Sequence, residues 1–243
     1  MKTNKTGSLF AGLLLVAAGA AYAQETPKNW KDAAELSYVQ TSGNSKTSTI
    51  AAKNLFNYDW TKAALELGAG GLGTESRDTV TAEQYNAYEK VSLKLAGKNY
   101  AFERIGWDKN RFAGIQDRWD LGLGFGRNFL DTASDKLFAE AGGGYIWEDR
   151  LPGTENQSFG TYRAYAKYIR TLSPTATASQ DFEYLGNLKE SDGYRMNAET
   201  ALVASISSHF SLKASHTWKY VNAPGAGFRK TDEMNSVAII VNY

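Results

Sequence analysis

No cysteine occurs among the 243 residues, and only four prolines and two histidines do. Without cysteine there is no disulfide framework, so an exported chain must hold together by a core or by a closed hydrogen-bonded wall. With His209 and His216 as its only histidines, the chain cannot supply the common zinc ligand sets. No metal and no cofactor are expected. Charge of one sign is also missing. The 27 basic and 26 acidic residues leave a net charge of +1, without the basic excess of a nucleic-acid binder, so no nucleic-acid partner is expected. Long apolar runs are absent after residue 23, so any membrane passage must rest on strands. What the chain has is 23 Gly, 14 Tyr and 6 Trp. Glycine and aromatics with few proline breaks suit one large sheet.

The first residues form a targeting pattern. Lys2 and Lys5 precede an apolar stretch over residues 9–21, and Ala21-Tyr22-Ala23 offers small residues where a signal peptidase reads. The stretch is shorter than the ~20 residues a spanning helix needs. Residues 1–23 are expected to be a signal peptide cleaved before Gln24, and residues 24–243 a single barrel domain.

Beyond Lys31 the pattern alternates with period two. Trp119, Leu121, Leu123 and Phe125 oppose Arg118, Asp120, Gly122, Gly124 and Gly126. Phe210, Leu212, Ala214, Trp218 and Tyr220 oppose Ser211, Lys213, Ser215, Thr217 and Lys219. Helical spacing would mix these sets. The pattern predicts strands over 32–42, 46–58, 61–73, 82–96, 99–107, 115–129, 136–148, 158–170, 174–186, 193–206, 210–221 and 231–243. Connections sort by parity. The even ones are tight (59–60, 97–98, 172–174, 207–209, with 130–135 slightly longer). The odd ones include long polar segments (74–81, 108–114, 149–157, 222–230), with 187–192 intermediate and 43–45 short. Short turns at one end, long loops at the other and an even strand number describe an outer-membrane barrel. The expected fold is an all-β transmembrane antiparallel barrel of about 12 strands, an up-and-down meander. It would sit in the bacterial outer membrane with both mature termini periplasmic.

Hydrocarbon offers no hydrogen-bond partner, so strands cross it only as a closed barrel with an apolar outside. The polar face carries Glu66, Lys90, Lys94, Arg118, Asp120, Glu140, Arg163, Lys167, Asp181, Glu183, Arg195, Glu199 and Lys213, which are expected to line the lumen. Aromatics gather at strand ends on the apolar face: Trp119, Tyr145, Trp147, Trp218 and Tyr220 at one end, and Phe56, Tyr58, Tyr100, Phe129, Tyr168, Phe210 and Tyr243 at the other. Glu89, Asn54 and His216 fall in phase with the apolar face. A bulge, a register change or headgroup depth would be needed to accommodate them.

Catalytic patterns are not found, and no enzyme is expected. The glycine strings Gly68-Ala69-Gly70-Gly71 and Gly122 to Gly126 lie within strands rather than opening a helix. His216 with Ser205, Ser211 or Ser215 is the one combination that fits hydrolase chemistry. Ser215 adjoins His216 and must point to the other face. Interior charges of both signs in similar number argue against a strongly ion-selective ring. Twelve strands lie between a filled barrel and an open one.

Three stretches carry a family resemblance: Thr41-Ser42-Gly43-Asn44-Ser45, the run Asp117 to Gly126, and Glu140 to Glu148 around Gly142-Gly143-Gly144-Tyr145. With the terminal strand Val237, Ile239, Val241, Tyr243, they make the chain similar to the YdiY-like family of salt-induced outer-membrane proteins. That resemblance implies a barrel of this size in the outer membrane and no catalytic residue. The aromatic end at Tyr243 looks like the signal read by the barrel-assembly machinery. Outer-membrane lipid, lipopolysaccharide and that machinery are the expected partners. The leading reading is a narrow pore for small solutes or ions. The alternatives are a structural or adhesive envelope protein with a blocked lumen, and a lipid-modifying enzyme centred on His216.

Overall fold

The computed structural model describes residues 29–42, 48–76, 79–110, 114–225 and 228–243. The expected signal peptide and the 43–45 turn lie outside them. Twelve strands follow in order: β1 (Trp30–Ser42), β2 (Ser48–Asp59), β3 (Ala63–Ser76), β4 (Thr79–Lys94), β5 (Asn99–Asn110), β6 (Ile115–Asp131), β7 (Asp135–Arg150), β8 (Gln157–Ser173), β9 (Ala176–Asn187), β10 (Arg195–Ser205), β11 (Phe210–Val221) and β12 (Thr231–Asn242). Each pairs antiparallel with its sequence neighbours, and β1 closes on β12 through the ladder from Ala33↔Asn242 to Ser42↔Glu233. Closure leaves no edge strand and satisfies the backbone within the wall. An even strand count brings Trp30 and Asn242 to the same end, here called the termini end.

Three strand pairs run past their expected bounds. β3 and β4 continue to Ser76↔Thr79 across a register shift at Thr74/Glu75, taking up most of the expected 74–81 loop. Thr74, Thr79, Val80 and Thr81 are β-branched and so good strand formers, although the segment around them is polar. β5 likewise reaches Asn110, and β7 reaches Arg150. Loops at the far end are therefore shorter than composition suggests. The connection 222–230 keeps its expected bounds, and the one expected over 187–192 with intermediate length runs over 188–194.

Contacts between strands that do not neighbour one another fix which face is inside. Lys90 on β4 reaches Glu140 on β7, Arg195 on β10 reaches Glu148 on β7, and Lys213 on β11 reaches Glu35 on β1. Such contacts cross the interior. Alternation then assigns every other side chain. Leu93, Leu123, Phe125, Leu202, Val237 and Ile239 stand exposed on the opposite face. An apolar exterior around an ionised interior is the arrangement that hydrocarbon surroundings require, the reverse of a soluble barrel.

Aromatics mark both ends of that exterior. At the far end Tyr162, Tyr184, Tyr194, Tyr220 and Trp218 form a continuous ladder of ring contacts, and Tyr145 meets Trp147. Near the termini, Phe56 stacks on Trp30 and Tyr58 tilts against Trp60. Tyr100 does not belong to this belt. It faces the lumen and donates to Glu140 at 2.9 Å. β5 carries apolar and charged residues on both faces, so its alternation alone does not orient it.

The exceptions on the apolar face remain there. Register shifts fall only near strand ends, so no bulge turns Glu89 inward. It stands exposed between Leu67 and Ile105, its cross-strand partners, and Glu103 shares its face and end of the wall. Asn54 donates to Asp32 at 2.8 Å close to the termini end. His216 sits midway along β11 rather than at a strand end. Its Nδ1 bonds Asn235 Oδ1 at 2.8 Å, and neighbouring Thr200 donates to Gln180 at 2.5 Å. Mutual hydrogen bonds, not bulges, accommodate that polar row. Glu89 has no such partner among the described residues, so Glu89→Leu should stabilise the barrel by about 1 kcal/mol, since an ionised group on a lipid face is unfavourable. Guanidinium unfolding after refolding into lipid vesicles would read the gain, and an unchanged or lower midpoint would refute it.

Candidate functional site: an unevenly filled lumen

The lumen is built from the inward face of all twelve strands, and it is not symmetric. On the β4 to β9 side it is packed with ion pairs. Glu140 is the centre: only 4% exposed, it meets the Lys90 ammonium, Arg163 Nη1 at 2.9 Å and the Tyr100 hydroxyl. Arg163 turns its Nε to Glu183 at 2.5 Å, and Asn197 donates to the other Glu183 oxygen at 3.0 Å. Glu66 accepts from Tyr88 at 2.9 Å, and Arg104 pairs with Asp120.

A second cluster lies toward the far end. Glu148, 3% exposed, is shared by Arg118 at 2.6 Å, Arg150 at 2.8 Å and Arg195 at 3.1 Å, while Arg118 also faces Asp108 at 3.4 Å. Several donors on each buried carboxylate offset the cost of removing it from water, which one pair alone often fails to do.

Glycine makes room for these side chains. Gly122 opposes Gly144 and Gly124 opposes Gly142 across the β6–β7 ladder, all on the lumen face. A Cβ on Gly142 would fall on the Leu123 carbonyl oxygen and 3.0 Å from Gly124 Cα, and one on Gly124 would lie 2.7 Å from the Phe102 ring. The bare wall admits Arg163, Phe102 and Arg104 from the neighbouring strands.

The remaining side is looser. Lys213 meets Glu199 at 3.1 Å and Glu35 at 3.4 Å, and Lys167 stands 3.8 Å from Asp181. Beside them a cavity of about 570 Å³ is lined by β1 to β4 and by β8 to β12. A second, of about 460 Å³, lies against Lys31, Asn57, Asp59, Glu66 and Lys90 at the termini end. Lys94, although on the inward face, reaches that mouth, where it bonds Asp59 and the Trp60 carbonyl. Thus Glu66, Lys90, Arg118, Asp120, Glu140, Arg163, Lys167, Asp181, Glu183, Arg195, Glu199 and Lys213 all point inward, but in separate clusters rather than one ring.

Sequence reasoning passed over Glu35, Lys53, Arg104, Asp108, Glu148, Arg150 and the lumen tyrosines Tyr88 and Tyr165. Phase alone would have found most of them. Glu148 lies eight residues after Glu140 on the same face, and Lys53 is in phase with Ala51. The hydrolase combination does not assemble. His216 faces outward, whereas Ser205 and Ser211 bond each other on the lumen face at 3.4 Å. Among the described residues no group of histidines and carboxylates is placed to hold a metal ion.

Comparison with known proteins gives four relevant likenesses. A family model described as "Protein of unknown function, DUF481" matches residues 34–243. The Uncharacterized protein YdiY of Escherichia coli (strain K12) is 27% identical over 206 residues, covering 83% of this chain and 79% of its own length. Among solved structures, the NanC porin aligns with a TM-score of 0.60 at 7% identity, over 86% of this chain and 98% of NanC. The KdgM porin in complex with disordered oligogalacturonate aligns with a TM-score of 0.53 at 8% identity, over 87% and 99%. At such low identity these two structures establish the shared barrel fold.

Proposed function

This chain belongs to the DUF481 family, and from that membership and the form of its lumen we propose that it is a narrow outer-membrane channel for small solutes. The observation that carries the reading is the uneven lumen. One side is braced by ion pairs, while the other keeps a cavity of about 570 Å³ that carries four lysines among apolar neighbours, and a second of about 460 Å³ opens at the termini end. A purely structural barrel of this size gains nothing from leaving charged space unfilled, because buried polar groups cost free energy unless satisfied. The porins NanC and KdgM, one solved with oligogalacturonate, support a solute path through a barrel of this fold.

In this reading the termini end is periplasmic, since the mature N-terminus enters from that side and the even strand count returns the C-terminus there. The final strand, ending in Tyr243, presents itself to the barrel-assembly machinery. The belts of tyrosine and tryptophan sit against lipid and lipopolysaccharide headgroups. The far-end loops 188–194 and 222–230 face the medium.

Purified barrel inserted into planar bilayers should give discrete conductance steps above a detergent control. A bilayer that stays silent through repeated verified insertions would remove the channel. A second reading, a barrel shut by its own ion pairs, draws on the Lys90–Glu140 and Arg195–Glu148 contacts that cross the lumen. It requires a silent wild-type barrel that begins to conduct when Glu140 is replaced by Ala.

A further inference from the structure

The overall balance of charge hides a local imbalance. The 570 Å³ cavity is lined by four lysines, Lys53, Lys167, Lys213 and Lys219, but by only two carboxylates, Glu35 and Glu199. Both carboxylates are already engaged by Lys213, and Lys167 leans toward Asp181. Lys53 on β2 and Lys219 on β11 have no hydrogen bond or ion pair among the described residues. They repel each other, and at Lys219 Arg118 adds to the positive field while Asp108 and Asp232 oppose it. Asp232 stands opposite Lys219 on β12 without closing an ion pair to it, and Asp108 is turned to Arg118.

A second observation falls in the same place. The Thr217 hydroxyl, one inward step along β11 from Lys219, is buried without a hydrogen-bond partner, the only described side-chain group in that condition. It too lines the cavity. Between Lys53 on β2 and Asn86 on β4 the wall is bare glycine. A Cβ on Gly70 would lie 3.2 Å from Lys53 Cγ and 3.1 Å from Asn86 Oδ1, so the two side chains flank a notch. Two cations without an ion pair and an unsatisfied hydroxyl around one cavity leave donors without acceptors among the described residues. The buried Thr217 hydroxyl costs free energy when left unmade, and with the exposed Lys53 ammonium and Lys219 beside it the site favours a ligand that supplies acceptor oxygens and negative charge.

We propose that this cavity is an anion site, in which Lys53, Lys219 and Thr217 hold a small organic solute through its carboxylate or phosphate group. The inference rests on the channel reading for its transport role, and it names the class of solute. Anions entering the lumen exchange part of their hydration for two ammonium groups and a hydroxyl. Cations meet a wall on which four lysines outnumber two carboxylates. Such fixed charge at close quarters sets selectivity and raises the local concentration of counter-ions.

The experiment is a reversal-potential measurement on the full barrel in planar bilayers under a KCl gradient, with inorganic phosphate as the probe ligand. The wild type should favour chloride over potassium by about threefold or more, and Lys53→Gln with Lys219→Gln should bring the ratio near one. Phosphate should reduce the wild-type chloride current, and the double variant should need about tenfold more for the same block. Thr217→Val should weaken the phosphate block while leaving the chloride preference in place. A conducting wild type whose selectivity and phosphate block are untouched by the double substitution overturns the anion site and leaves the channel standing. A wild type that carries no current removes the channel, and the site is then judged by thermal unfolding. A phosphate-dependent rise in Tm in the wild type that the double variant lacks upholds it, and equal response in both overturns it. Heat-modifiable gel migration confirms that each variant is folded.

Discussion

Glu140→Ala should lower the stability of the barrel by about 3 to 5 kcal/mol, the cost of breaking a buried ion pair by removing one partner. The carboxylate is 4% exposed and serves Lys90 from β4, Arg163 from β8 and Tyr100 from β5. Its loss leaves Lys90 and the Tyr100 hydroxyl without their acceptor and Arg163 with Glu183 alone. Glu140→Gln retains size and one carbonyl oxygen and should cost less. Exposed Glu155, in the far-end connection after β7, provides the control, and its replacement by Ala should change stability by under about 0.5 kcal/mol. Denaturant midpoints of the three variants refolded into vesicles decide the matter. If Glu140→Ala unfolds together with the wild type, the network does not brace the lumen.

Gly142→Val should be nearly as damaging, at about 3 kcal/mol, through a different mechanism. The obstacle is backbone: any Cβ at 142 falls on the Leu123 carbonyl and close to Gly124 Cα on the facing strand. A side chain could rotate away, but a ladder carbonyl cannot, so β6 and β7 must separate or twist where they are most tightly paired, and overpacking of this kind costs up to about 3 kcal/mol. Gly73, around which a Cβ meets nothing within 4 Å, gives the comparison. Gly73→Ala should fold and unfold like the wild type. Equal midpoints for Gly142→Val and Gly73→Ala would show that the lumen glycines do not set the approach of these strands.

Particular residues show how far the sequence could be read. In β6 the two faces are chemically unlike: Trp119, Leu121, Leu123 and Phe125 on one, and Arg118, Asp120 and three glycines on the other. Strand, phase and facing are therefore all legible there. In β5 the inward set is Tyr100, Phe102, Arg104 and Gly106, and the outward set is Ala101, Glu103, Ile105 and Trp107. Each face carries a charge and at least one large apolar group, so Tyr100 was placed with the wrong belt and Glu103 went unnoticed. Polarity over 74–81 predicts a loop, yet β3 runs to Ser76 and β4 starts at Thr79, because threonine and valine extend a strand beyond the apolar wall as readily as within it.

The same division holds for the lumen. Which side chains face inward follows from period two, a local property of extended backbone. Which of them meet does not. Lys90 and Glu140 lie fifty residues apart and on strands that are not neighbours, and only closure and stagger bring them together.

By itself the sequence determined the strand count and the meander order, and on strands with unlike faces such as β6 it separated the two faces, because each depends on residues within a few positions of one another or on the parity of successive turns. The tertiary structure alone decided that carboxylates are consumed on one side of the lumen while Lys53, Lys219 and Thr217 are left without partners on the other. Pairing across a barrel depends on distances between strands far apart in the chain, and no local pattern records them.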